Sequence, residues 1–298
     1  MVDLDSSQLR TLAVVVAEGS FEAAAQALHV TPSAVSQRIK ALEAAVGQVL
    51  VRRSRPSRVT DAGKPLLRLA GQFALLEREA LDAARIAPAG GPDWTRVALV
   101  VNADSLATWF LDALARLPAE PRLAFEIHTN DEGHTAELLR DGTAMAAVTA
   151  ESEPVQGCRV ERLGAMRYLA VAAPALADRY FADGLTPDAL AAAPVMVYDR
   201  RDQTQHRFIR AVTGRLLDPP VRYVPSVPGF SEAIRLGLGW GLVPEALARP
   251  DLAGGRCVDL APGRHVDVPL YWQHWRLDSV VLRSLADAVR EAAAVALR

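Results

Sequence analysis

The sequence predicts an all-α unit with a short β-wing at the N-terminus, then a long amphipathic helix, then an α/β domain over the remaining two-thirds. Three observations carry this: three capped helical patterns ahead of Gly47, a 4-3-4-3-4 spacing of apolar residues after Thr60, and short β-like runs alternating with helical ones after Pro92.

In the first unit Leu9, Leu12, Ala13, Val15 and Val16 recur with helical period and stop at Gly19, which can adopt a left-handed cap. Ser20 fits an N-cap for a short second helix from Phe21 to Leu28, whose Ala23-Ala24-Ala25 run lets a neighbour approach. After the turn at His29-Val30, Thr31 as N-cap and Pro32 at the first helical position open a third helix running to about Val46. Ala34, Val35, Ile39, Leu42 and Val46 form its inward face, leaving Ser33, Ser36, Gln37 and Lys40 directed elsewhere. Hydroxyl and amide groups there can exchange hydrogen bonds with base edges, and Lys40 can meet a phosphate. Val49-Leu50-Val51 and Arg58-Val59, separated by Arg52, Arg53, Ser54, Arg55 and Pro56, read as a hairpin-like wing whose guanidinium groups suit phosphate or minor-groove contact.

The chain of 298 residues carries a formal net charge of −2, which would argue against a nucleic-acid partner if charge were evenly spread. It is not. Between Ser36 and Thr60, Arg38, Lys40, Arg52, Arg53, Arg55 and Arg58 face the single acid Glu43. With the helix, tight turn, helix spacing, this is the footprint of a winged helix-turn-helix over residues 1–59 whose third helix reads double-stranded DNA.

A linker helix over 60–87 follows. Ala62, Leu66, Leu69, Phe73, Leu76 and Ala80 form a heptad seam that calls for a partner helix, so a homodimer through Leu66, Leu69, Phe73 and Leu76 is expected. Pairing would set two recognition helices on successive half-sites. A stripe packed on its own chain is the alternative. Pro65 lacks an N–H, so it should kink the first turn or shift the helix start, and Pro88-Ala89-Gly90-Gly91-Pro92 cannot continue the helix and reads as a hinge or linker.

The last unit, 88–298, reads as β-like runs at Val97–Val101, Leu123–His128, Ala146–Thr149, Tyr168–Ala172, Val195–Tyr198, Arg222–Val224, Leu242-Val243 and Leu270–Trp272. Helical patterns between them include Leu106–Leu117 and Thr135–Arg140, a last helix covers Ser279–Leu297, the runs from Val97 to Thr149 imply a parallel sheet, and Leu270–Trp272 is a return strand. Asn102, Ala103, Asp104, Ser105 and Leu106 lie between a strand and a helix start, where N–H groups and the helix dipole favour a carboxylate. Asp131, Glu132 and Asp199 follow strands and suit an ammonium or guanidinium; Thr149, Tyr168 and Phe230 complete the candidate effector set.

Catalytic readings fail. Gly229-Phe230-Ser231-Glu232-Ala233 lacks the second glycine of a nucleophile elbow, Gly237, Gly239 and Gly241 do not have dinucleotide-loop spacing, and both segments read as turns. The six histidines show no metal-ligand spacing, and Cys158 and Cys257 read as packing thiols. No catalytic residue, metal or cofactor is assigned. The start has no basic region ahead of an apolar stretch, and no apolar run nears the ~18 residues that span a bilayer, so a cytoplasmic protein without membrane contact is expected.

The run SFEAAAQALHVTPSAVSQRIKALEAAVGQVLVRR, followed by TDAG, resembles the N-terminal domain of LysR-type transcriptional regulators. NADSLATWF, DEGHT, VYDR and LGLGWGLVPE are similar to stretches of their ArgP/LysG-like branch, which senses basic amino acids. The resemblance implies DNA contacts from Pro32, Ser33, Ser36, Gln37 and the wing arginines. It also implies two α/β lobes around a cleft, like periplasmic binding proteins: lobe I over 94–164 and 267–298, lobe II over 165–266, crossing near Ala165 and Val266. A lysine or arginine effector, a homodimer or homotetramer, RNA polymerase as a partner, and control of transport or amino-acid genes follow from the same likeness. The alternative is an architectural DNA-binding protein whose C-terminal domain only oligomerises.

Overall fold

A computed structural model describes residues 4–86, 94–129 and 135–298. In the winged unit each helix is closed by local chemistry. Helix α1 (Ser6–Glu18) starts at Asp5, whose carboxylate accepts from the Ser7 and Gln8 N–H groups, and stops at Gly19 with φ 69°. Helix α2 (Phe21–Ala27) is capped by Ser20, whose hydroxyl accepts from the Ala23 N–H at 3.0 Å. Helix α3 (Pro32–Val46) is capped in the same way by Thr31, at 3.2 Å from the Ala34 N–H, and ends at Gly47 with φ 74°. Leu12, Val15, Val35, Ile39, Leu42 and Leu50 are buried among them. The wing pairs β1 (Val51–Arg52) with β2 (Arg58–Val59), setting Val51 opposite Val59.

Helix α4 (Lys64–Ala83) has Pro65 in its first turn, so the proline shifts the start to Lys64 instead of kinking the helix. Ala62, Leu66 and Ala70 join the winged core, whereas Leu75 is buried in the core of the C-terminal unit. Its Arg68 guanidinium donates to the carbonyls of Gln156 at 2.5 Å and Gly157 at 2.6 Å. Glu79 accepts from the Ser279 hydroxyl at 2.6 Å and the Val281 N–H at 3.0 Å. Between them Gly71 lies so close to Trp275 that a Cβ would stand 2.8 Å from the ring. Leu69, Phe73 and Leu76 stay 39%, 42% and 40% exposed, so among the described residues this part of the heptad stripe is only partly covered.

The C-terminal unit runs β3 (Thr95–Val101), α5 (Ala103–Thr108), α6 (Phe110–Ala115), β4 (Leu123–Thr129), α7 (Thr135–Arg140), β5 (Ala146–Thr149) and β6 (Cys158–Ala172). Then come α8 (Pro174–Tyr180), α9 (Pro187–Ala192), β7 (Val195–Val197), α10 (Thr204–Thr213), β8 (Val221–Tyr223) and α11 (Val227–Arg235). Last are β9 (Gly241–Pro244), α12 (Glu245–Ala253), β10 (Val258–Asp259), β11 (Val266–Trp275) and α13 (Val280–Ala296). The larger sheet has the order β10-β6-β11-β5-β3-β4 with β9 beside β6; a smaller one pairs β7 with β8.

The parallel sheet expected from the runs between Val97 and Thr149 is present, and Leu270–Trp272 belongs to an antiparallel return strand. β3 is parallel to β4 and β5, but β11 runs antiparallel to β5 and β6, because the chain passes between lobes on two long strands instead of helical crossovers. Along that pair Ala165 faces Pro269 and Tyr168 faces Val266. The first part of β6 was not anticipated, since Arg159, Glu161, Arg162 and Arg167 dilute its apolar pattern. The Leu106–Leu117 pattern breaks at Trp109 into α5 and α6. Gly229–Ala233 lies inside α11, capped by the Ser226 hydroxyl, where a turn was expected.

Candidate nucleic-acid interface and effector cleft

On α3, Pro32, Ser33, Gln37 and Lys40 are exposed and Ser36 and Arg38 half-buried, while the Thr31 hydroxyl is occupied by the cap. Arg52, Arg53, Arg55 and Arg58 are exposed on the wing. Among the described residues, none of these arginines, nor Lys40, has a carboxylate within 4.0 Å. In the rest of the chain six arginines, Arg78, Arg167, Arg235, Arg256, Arg290 and Arg298, each stand 2.7 to 3.0 Å from an acid. A cluster of like charges without internal partners costs stability by self-repulsion and is available to a polyanion.

The cleft brings together Asn102, Tyr168, Asp199 and Phe230 of the expected effector set. Asn102 accepts from the Ser105 N–H at 3.2 Å and so caps α5. Ser105 itself is fully buried beneath that turn, and Leu106 is half-buried against the core, so neither lines the cleft. Thr149 lies elsewhere: it is buried at the end of β5 and its hydroxyl accepts from the Glu151 N–H at 3.1 Å. Asp131 and Glu132 fall outside the described residues.

Sequence reasoning missed Asp104, Tyr198, Arg201, Asp202 and Gln205, all of which line the cleft. Asp104 accepts from the Tyr168 hydroxyl at 2.7 Å, joining α5 to β6. Asp199 accepts from the N–H groups of Arg201 at 2.7 Å and Asp202 at 3.0 Å. Asp202 in turn accepts from Tyr198 at 3.3 Å and Thr204 at 2.9 Å. The buried Gln205 amide, its nitrogen turned to Asp202, donates at 3.0 Å. The loop after β7 therefore holds two carboxylates by its own backbone. A signal for it existed in the Asp-x-x-Asp spacing, which suits an Asx-type turn.

Burial pushes the Cys158 and Cys257 thiols up, away from thiolate character, which fits packing roles. Among the described residues no three His, Cys, Asp or Glu side chains gather as a metal site, and no helix is long and apolar enough to cross a membrane.

Residues 6–64 match the family model for the bacterial regulatory helix-turn-helix protein, lysR family, and residues 93–294 match the LysR substrate binding domain. The HTH-type transcriptional regulator LysG of Mycobacterium tuberculosis is 50% identical over 295 residues, spanning 98% of this chain and 95% of that protein. The crystal structure of ArgP from Mycobacterium tuberculosis superposes with a TM-score of 0.89 at 49% identity, covering 99% of each chain. Full-length LysG from Corynebacterium glutamicum with bound effector Arg superposes at 0.78 and 43% identity, covering 99% of this chain and 100% of that one.

Proposed function

The chain belongs to the LysR family of bacterial regulatory helix-turn-helix proteins, and we propose that it is a DNA-binding transcriptional regulator whose output is set by lysine or arginine held in the cleft. The observation that carries this reading is the charge inventory of the lining among the described residues: Asp104, Asp199 and Asp202 against one cation, Arg201. A basic amino acid brings two cationic groups and one carboxylate, and an ion leaving water needs an opposite charge. Its carboxylate goes towards Arg201 and not into the Asn102–Leu106 turn, because Asn102 already accepts the Ser105 N–H there and Asp104 would repel an anion. One cationic group goes to Asp104, the other to the Asp199–Asp202 loop. The arginine in the Corynebacterium glutamicum protein supports the same ligand class.

The regulator acts on double-stranded DNA as a dimer. Leu69, Phe73 and Leu76 of two α4 helices face each other, with Leu66 at the margin because it packs on the winged core. Residues 1–59, 60–87 and 88–298 are then the DNA-reading, dimerising and sensing units. Assembly to a tetramer, contact with RNA polymerase at the promoter and a cytoplasmic site of action complete the reading. A thermal-shift screen of the full chain against the twenty amino acids tests it: lysine and arginine raise the melting temperature as ligands of the folded state alone, and a response led by neutral or acidic amino acids contradicts it.

A further inference from the structure

The wing is tied to the corner between α1 and α2 at three points. The Ser57 N–H donates to the Gly19 carbonyl at 2.7 Å. Gly19, at φ 69°, sits so close to Pro56 that a Cβ there would stand 3.0 Å from the proline Cβ. The Arg53 guanidinium carbon lies 4.6 Å from the centroid of the ring of Phe21, the first residue of α2. The first two contacts fix the wing backbone; the third fixes the direction of one charged side chain.

A free arginine side chain samples many rotamers and gives that freedom up when it grips a phosphate. A guanidinium lying over an aromatic ring is restrained beforehand, while its five N–H groups give it more donors than one ring contact engages. Among the described residues Arg53 makes no hydrogen bond or ion pair that would occupy them. We propose that Phe21 is a positioning residue for DNA binding: its ring pre-sets the Arg53 guanidinium at the junction of the wing and α2, and this placement, beyond the charge itself, sets how tightly DNA is held. The proposal rests on the reading of the winged unit as the DNA interface.

The test is a double-mutant cycle on the full chain, read by fluorescence anisotropy with a labelled duplex of mixed sequence at several salt concentrations. Phe21→Leu weakens binding about threefold while Arg53 is present, and has no effect in the Arg53→Ala background. It leaves the salt slope unchanged, since no charge is lost, whereas Arg53→Ala lowers the slope. Phe21→Tyr, which keeps the ring, binds like the parent. Arg53→Lys, which keeps the charge without the planar group, weakens binding by about the Phe21→Leu factor. Independent, multiplying effects of the two substitutions overturn the proposal. So does tighter binding by Phe21→Leu, which would mean that the ring competes with DNA for Arg53. If Phe21→Leu does not fold, the exposed Arg53→Lys decides, and unchanged affinity in that variant rejects the role of the ring. A parent protein with no salt-dependent duplex binding removes the interface reading and this inference together; binding with an additive cycle removes the inference alone.

Discussion

The winged unit and the cleft carry their charges in opposite states. On α3 and the wing, six cations have no acid within 4.0 Å among the described residues. In the cleft, Asp104, Asp199 and Asp202 are each held by donors of the protein, two by loop backbone and one by the Tyr168 hydroxyl. Exposed cations without partners attract at a distance, add roughly independently and are screened by salt. Fixed carboxylates act at contact and discriminate by geometry. The first arrangement suits a polyanion met along a surface, the second a small cation taken out of water.

The largest expected effect tests the first state. If about six phosphates are contacted, raising salt from about 50 to 200 mM lowers duplex affinity by about a thousandfold, and an affinity that hardly moves in an anisotropy titration breaks the comparison. Next comes the doubling of the cationic set by dimerisation. Leu69→Asp with Phe73→Asp places unpaired charge in the α4 seam, so sedimentation finds a monomer and the salt slope falls to about half. An unchanged oligomer rejects the seam.

On the cleft side, Asp104→Asn removes the charge but keeps an acceptor for the Tyr168 hydroxyl. Losing one partner of a desolvated charge pair costs about 2 to 5 kcal/mol, so arginine binding weakens at least about tenfold. Equal affinity in calorimetry assigns the cation elsewhere. The smallest effect is on stability against pH. Burial, ahead of the opposing pull of the Trp275 carbonyl and Glu161, lowers the pKa of His274 below its ordinary value of 6.5. The unfolded chain therefore takes up the proton first. The contribution of His274 is complete above the ordinary value and fades as pH falls below it. Thermal melts between about pH 7.5 and 5.5 should fall more steeply for the parent than for His274→Gln; parallel falls contradict this.

How far each region is legible in the sequence follows from the range of the interactions that build it. Ser20, Thr31, Gly19 and Gly47 act within a few residues of themselves, so the helices of the winged unit and the outward set on α3 can be read directly. The cleft depends on which strand ends meet in space. Thr149 and Tyr168 look alike as strand-terminal hydroxyls, yet one is buried against its own loop and the other reaches Asp104. Asp104 lies in a segment whose sequence signal is the N–H groups of a helix start, and nothing local shows that its side chain meets Tyr168. Helix α4 makes the same point: its apolar stripe is visible, whereas the face formed by Arg68, Gly71 and Glu79 carries Leu75 as its apolar residue and is covered because Gly157, Trp275 and Ser279 come to it from far along the chain.

The most direct test of the account is calorimetric titration of the full-length protein with arginine, lysine and norleucine, the last having the length of lysine without its side-chain amine. A cleft selecting by three carboxylates gives saturable heat with the first two and none with norleucine. Absence of heat with both basic amino acids, or norleucine binding as tightly as lysine, would contradict it.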